Sequence, residues 1–179
     1  MKSKKVLIIA EAGVNHNGSI KLAKKLIDVA VQAKVDIVKF QTFRTENLVT
    51  TNAKKADYQK EKNKSNESQF EMLKKLELNI EDHKELILYC KSKNIIFLSS
   101  PFDLKSINLL NKLGLKIIKI PSSEITNFSY LGHIGTLKKK VILSTGMANM
   151  REIADALKVL TDSGTKKKDI TILHANTAY

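Results

Sequence analysis

Lys39 lies in the run DIVKFQTF and Lys119 in LKIIKIPSSE, each an ammonium inside an apolar, β-branched stretch. A buried ammonium without an anion is strongly disfavoured, so each lysine needs a partner, supplied by the protein or by a ligand. Gln41 is two residues beyond Lys39 and so shares its strand face, while Lys119 is followed by Ser122, Ser123 and Glu124. Ser99 and Ser100 close FLSSPFD, and Ser144 and Thr145 close ILSTGM. Lysines, hydroxyls and backbone N–H groups at helix starts are the components of a phosphate site. One reading neutralises each lysine with a structural carboxylate and spends each hydroxyl on a helix cap. The other has two lysines converge on a doubly anionic ligand, and four strand ends carrying the same kit favour it. Glu11, Asn15, His16 and Asn17 follow VLIIA, as a sugar- or metal-binding edge or as an Asx-rich turn.

The elements that must hold these groups alternate along the chain. Strand patterns occupy Val6–Ala10, Asp36–Phe40, Ile95–Ser99, Lys116–Ile120, Lys140–Ser144 and Ile170–His174. Helical patterns occupy Ile20–Ala33, Phe70–Leu76, His83–Lys93, Leu104–Leu113, Tyr130–Leu137 and Arg151–Ser163. Ser19 precedes the first helix as an N-cap, and Gly114 follows SINLLNKL as a C′ glycine. Such alternation means βαβ units and a parallel sheet. After the first strand, VLIIAEAGVNHNGS has neither glycine-rich phosphate fingerprint, which argues against a doubly wound fold. Polar residues at nearly every strand end instead suit the rim of a TIM (β/α)8-type barrel. Against the roughly 250 residues of a complete barrel, 179 residues predict one truncated after about six βα units. The polar, lysine-rich stretch from Thr42 to Gln69 is the one long excursion, a surface loop or lid.

Composition narrows the classes further. The chain carries 31 Lys+Arg against 18 Asp+Glu, a net charge of +13, yet arginine occurs only at Arg44 and Arg151 and the lysines are scattered. Base readout and backbone clamping favour arginine and grouped cations, so no nucleic acid is expected. Cys90 is alone, so no disulfide is expected, and a reducing, cytoplasmic setting follows. VLIIA is too short for a signal-peptide core, and no stretch is long enough to span a membrane. His83 and His133 have no spaced partner and read as core or solvated histidines.

The stretches IIAEAGVNHNGSIKLAKKLIDVAVQA, DIVKFQTF, FLSSPFD, KIPSSEITN, VILSTGMAN and ILHANTAY together resemble the sialic acid synthase family, and bacterial legionaminic acid synthases most. The resemblance implies a condensation of phosphoenolpyruvate with an open-chain N-acetylated amino sugar to a nine-carbon α-keto acid, with release of phosphate. It implies that Lys39, Ser100, Lys119, Ser122 and Ser144 hold phosphoenolpyruvate, that Gln41, Glu124 and Tyr179 bind the sugar, and that Glu11 faces the reacting centre. It further implies a divalent metal, Mn or Mg, whose ligands lie beyond residue 179, and a homodimer in the full-length enzyme. The C-terminal barrel strands and a small antifreeze-like domain are expected to be missing, and with them activity and good solution behaviour. Another phosphoenolpyruvate-dependent aldol-type synthase is the alternative within enzymes, and a non-catalytic anion-binding module the alternative outside them. Ser100 stands where the family often has threonine, Ala175 where cysteine is common, and Ser123 where glycine is common. A glycine there would suit a positive φ, which serine disfavours.

Overall fold

The computed structural model describes residues 6–53 and 67–176. Strands β1 (Ile9–Gly13), β2 (Ile37–Thr42) and β3 (Ile96–Pro101) form one parallel sheet in that order. Strands β4 (Ile117–Ile120), β5 (Lys140–Ser144) and β6 (Ile170–Leu173) form a second. The helices are α1 (Ile20–Gln32), α2 (Thr45–Leu48), α3 (Gln69–Leu76), α4 (Ile80–Ser92), α5 (Leu104–Lys112), α6 (Phe128–Thr136) and α7 (Met150–Asp162). The alternation expected from sequence is therefore present, in an α/β chain whose pairings are all parallel. No helix among the described residues is long and apolar enough to cross a membrane.

Two apolar layers explain why the strands are so hydrophobic. On the outer face the helices cover the sheets through a large core that includes Ile27, Phe40, Leu86, Ile107, Ile118, Leu131 and Leu160. On the inner face Ile9, Ile37, Leu98, Ile117, Ile142 and Leu173, one from each strand, pack into a second, smaller cluster. That cluster joins both sheets, and β3 lies alongside β4, so the six strands share one interior.

Most element boundaries agree with the sequence reading to within two or three residues. The first strand does not begin at Val6: regular pairing starts at Ile9, because the Asp36 carboxylate accepts from the Ile8 N–H at 2.9 Å and the Ile8 carbonyl accepts from the Asp36 and Ile37 N–H groups. Glu11 is consequently inside the strand, not after it. Likewise β2 and β3 run two residues past their expected ends, taking Gln41 and Ser100 into regular pairing. Asn79 caps α4 in a capping box with Asp82, so that helix starts three residues before His83. The short helix α2 was not legible, and the lysine-rich residues 54–66 lie outside the described ones.

Candidate functional site

Alternation turns the inner cluster into a site. Two residues after each inner apolar residue stands the next inward position: Glu11 after Ile9, Lys39 after Ile37, Ser100 after Leu98, Lys119 after Ile117 and Ser144 after Ile142. Five sequence-identified residues from five strands thus share the face just above a common apolar plug, at the carboxyl ends of the strands. Gln41 follows Lys39 on that face and is paired in register with Ser100. Gly13, at φ +55°, clears the space beside them: a Cβ there would lie 3.2 Å from Glu11 Oε1 and 3.7 Å from Gln41 Nε2.

The two lysines differ. Lys39 is held by an ion pair with the adjacent Glu11 carboxylate. Lys119 is only 6% exposed, donates to the Ile120 carbonyl at 2.9 Å, and forms no ion pair among the described residues. Burial first, then the Lys39 charge, lower its pKa to about 8, with Glu11 acting in the opposite sense. A structural carboxylate therefore accounts for one lysine and not the other. Together they leave cationic character that an anionic ligand would satisfy.

The hydroxyls also divide. The helices after β3, β4 and β5 are capped by Asp103, Asn127 and Asn149, so neither Ser100 nor Ser144 is spent on capping. Both are buried on the inner side. Ser99 instead faces outward, 2.6 Å from Thr42 Oγ1, which in turn is 2.8 Å from His83 Nε2. Thr145 donates to the Leu173 carbonyl at 3.0 Å and ties β5 to β6. Ser122, Ser123 and Glu124 form a single 3-10 turn after β4. Ser123 has no positive φ there, so serine in place of glycine brings no backbone strain. Glu124 Oε2 accepts from Asn127 Nδ2 at 2.8 Å, which orients the carboxylate at the rim. Tyr179 lies outside the described residues.

His16 belongs elsewhere. It is fully buried beside Phe40, an outer-face residue, and its Nδ1 accepts from the Gly18 N–H at 3.0 Å. A Cβ on Gly18 would come within 2.1 Å of the Lys75 carbonyl, so the NHNG segment is a tight turn pressed against the end of α3. His83 is a core histidine and His133 pairs with Asn108 Oδ1 at 2.8 Å. Cys90 is buried, and its thiol is pushed up to about 12 by desolvation, which makes it inert. Among the described residues no three His, Cys, Asp or Glu side chains are grouped to hold a metal ion, so none of these residues fits the expected metal.

Two carboxylates at the rim escaped the sequence reading. Asp103 accepts from the Arg44 N–H, Asn47 Nδ2 and Ser106, and Glu77 accepts from Arg44 and Thr45, so both pin the segment after β2 to its neighbours. Asp103 before LKS was the one readable signal, as an N-cap.

The chain is similar to several known proteins. The chain is 59% identical over 98% of its length to an N,N'-diacetyllegionaminic acid synthase of Campylobacter jejuni, of which it covers 53%. It superposes on an N-acetylneuraminic acid synthetase from Leptospira borgpetersenii with a TM-score of 0.82 at 31% identity, covering 98% of this chain and 56% of that one. A heptonate aldolase (DAHP synthase) of Thermotoga maritima, at 13% identity, has a TM-score of 0.66 over 96% of this chain and 44% of its own, a likeness of fold alone. The chain thus spans about half the length of the relatives it matches. Residues 26–179 match the NeuB family profile, and the chain belongs to the NeuB family.

Proposed function

We propose that the chain is the N-terminal portion, residues 1–179, of a (β/α)8 synthase barrel that condenses phosphoenolpyruvate with an open-chain N-acetylated amino sugar. The observation that carries this reading is the inward layer of Lys39, Lys119, Ser100 and Ser144 above the apolar plug, with Lys119 in no ion pair among the described residues. Lys39, Lys119, Ser100, Ser122 and Ser144 hold the phosphate and carboxylate of phosphoenolpyruvate. A carboxylate beside the phosphate would repel it, so Glu124 at the rim takes sugar hydroxyls or amide groups, together with Gln41 and Tyr179.

In the reaction, C3 of phosphoenolpyruvate forms the new C–C bond to the aldehyde carbon, whose oxygen takes up a proton. Water adds at C2 and loses its proton, and the tetrahedral centre collapses with C–O cleavage to the α-keto acid and phosphate. Glu11, next to Lys39, is placed to accept the proton from that water. The lysines stabilise charge transferred to the departing phosphate. The divalent metal expected of the family would be held by residues other than the described ones. In this proposal the enzyme works in the cytoplasm and, at full length, as a homodimer.

Calorimetric titration with phosphoenolpyruvate tests the assignment. Lys39→Gln and Lys119→Gln should each weaken binding by about tenfold or more, as expected for a lost charge-assisted contact. Glu124→Gln should weaken sugar binding and leave phosphoenolpyruvate affinity nearly intact. Unchanged phosphoenolpyruvate affinity in both lysine variants would overturn the reading.

A further inference from the structure

Lys119 combines two features that turn a lysine into a carbon nucleophile: removal from water and a second cation close by. It is buried, on the face just above the inner apolar residues Ile117, Ile142 and Leu98. The charged groups that act on it are Lys39, which opposes its charged form, and Glu11, which favours that form but is already paired with Lys39. Its hydrogen bond runs to the Ile120 carbonyl, which a neutral amine satisfies as well as an ammonium does. Burial first and the Lys39 charge second bring its pKa to about 8, so near neutral pH it holds roughly a hundredfold more free amine than an ordinary lysine.

The surroundings select the carbonyl compound that such an amine would meet. The Lys39 ammonium has three donors, and its ion pair with Glu11 does not exhaust them. Ser100 and Ser144, neither spent on a helix cap, share the same inward face. These groups suit a carboxylate, so a ketone with a carboxylate on the adjacent carbon is anchored beside Lys119, whereas a neutral ketone has no such hold. We propose that Lys119 captures α-keto acids as a covalent imine. The nitrogen lone pair adds to the keto carbon, and the carbonyl oxygen then leaves as water with both amine protons. The step needs no oxidant, reductant or cofactor, and water reverses it. It goes beyond the condensation reading, in which Lys119 acts only through its charge, and it sets α-keto acids, the class of that reaction's product, against phosphoenolpyruvate at one residue.

The test incubates the chain with pyruvate and sodium cyanoborohydride, which reduces an imine to a stable secondary amine, and locates the adducts by peptide mass spectrometry. Lys119 should be labelled at least about tenfold faster than exposed lysines such as Lys105, because more of it is free amine. That selectivity should be about tenfold greater with pyruvate than with acetone, as expected for one charge-assisted contact to the carboxylate. Saturating phosphoenolpyruvate should suppress the Lys119 adduct and leave the others unchanged. Lys39→Gln, which keeps the amine and removes its neighbouring cation, should slow labelling of Lys119 several-fold. Labelling of Lys119 no faster than that of exposed lysines overturns the inference, and leaves the condensation reading standing where calorimetry still shows phosphoenolpyruvate binding. Equal selectivity with acetone and pyruvate overturns the choice of α-keto acids. A fast Lys119 adduct that saturating phosphoenolpyruvate leaves untouched upholds the imine and overturns the phosphoenolpyruvate assignment of Lys119.

Discussion

Strand β2 carries buried polar residues on both faces near its end, and the two faces treat them in opposite ways. Outward, Thr42 is locked between Ser99 and His83, and the His83 Nδ1 lies 2.7 Å from the Asn79 carbonyl, so the chain closes on backbone. Inward, Lys39 pairs with one exposed carboxylate, and Lys119 across the interior has, among the described residues, only a carbonyl. The outer network is self-sufficient and should contribute to stability. The inner set is incomplete and should contribute to binding at some cost to stability.

Breaking the inner set should give the largest effect. Lys119→Met is expected to reduce phosphoenolpyruvate affinity by about a hundredfold, through loss of a desolvated charge-assisted contact, while raising stability by about 1–2 kcal/mol in urea titrations because a buried ammonium is removed. A coupled loss of binding and stability would erase the distinction between the faces. Breaking the outer network should do the reverse: Thr42→Val, which strands His83 and Ser99, is expected to cost about 2 kcal/mol of stability with phosphoenolpyruvate affinity changed less than twofold.

Acidity sharpens the comparison next. Only the protonated lysine attracts a dianion, so affinity should fall as pH rises through about 8, the Lys119 value, with about a tenfold loss by pH 9.5 from loss of this charge. The stability term has the opposite slope. A lysine whose pKa is lowered on folding imposes a penalty that is full below about pH 8 and is relieved as pH climbs toward 10.5. Calorimetry and urea titrations over one pH series would show both slopes. The smallest effect is expected from Ser144→Ala, about a three- to tenfold loss of phosphoenolpyruvate affinity with stability nearly unchanged, since its hydroxyl is not spent on a cap.

These faces were unevenly legible in the sequence. Lys39 and Lys119 stood out because charges interrupt apolar runs, and period-two alternation then carried Gln41 to the same face. The helix exits were harder. Gly114 announced its left-handed position, but Lys34 and Lys138 adopt φ of 57° and 53° at equivalent junctions, where nothing in a lysine signals a turn. His16 looked functional by its neighbours, yet burial against Phe40 makes it part of the scaffold. The cleft of about 400 Å³ lined by Asn47, Phe102, Asp103, Asn127 and Tyr130 was illegible because three segments, distant in sequence, each supply part of its wall.

The central claim is that Lys119 is a desolvated cation awaiting an anion, and its own titration tests it most directly. With lysine side chains labelled at Cε and followed by NMR, the Lys119 signal should titrate near pH 8 in the free protein. Phosphoenolpyruvate should then raise that midpoint by about one unit or more, because a bound dianion favours the charged form. A midpoint near 10.5, unmoved by saturating phosphoenolpyruvate, would contradict it.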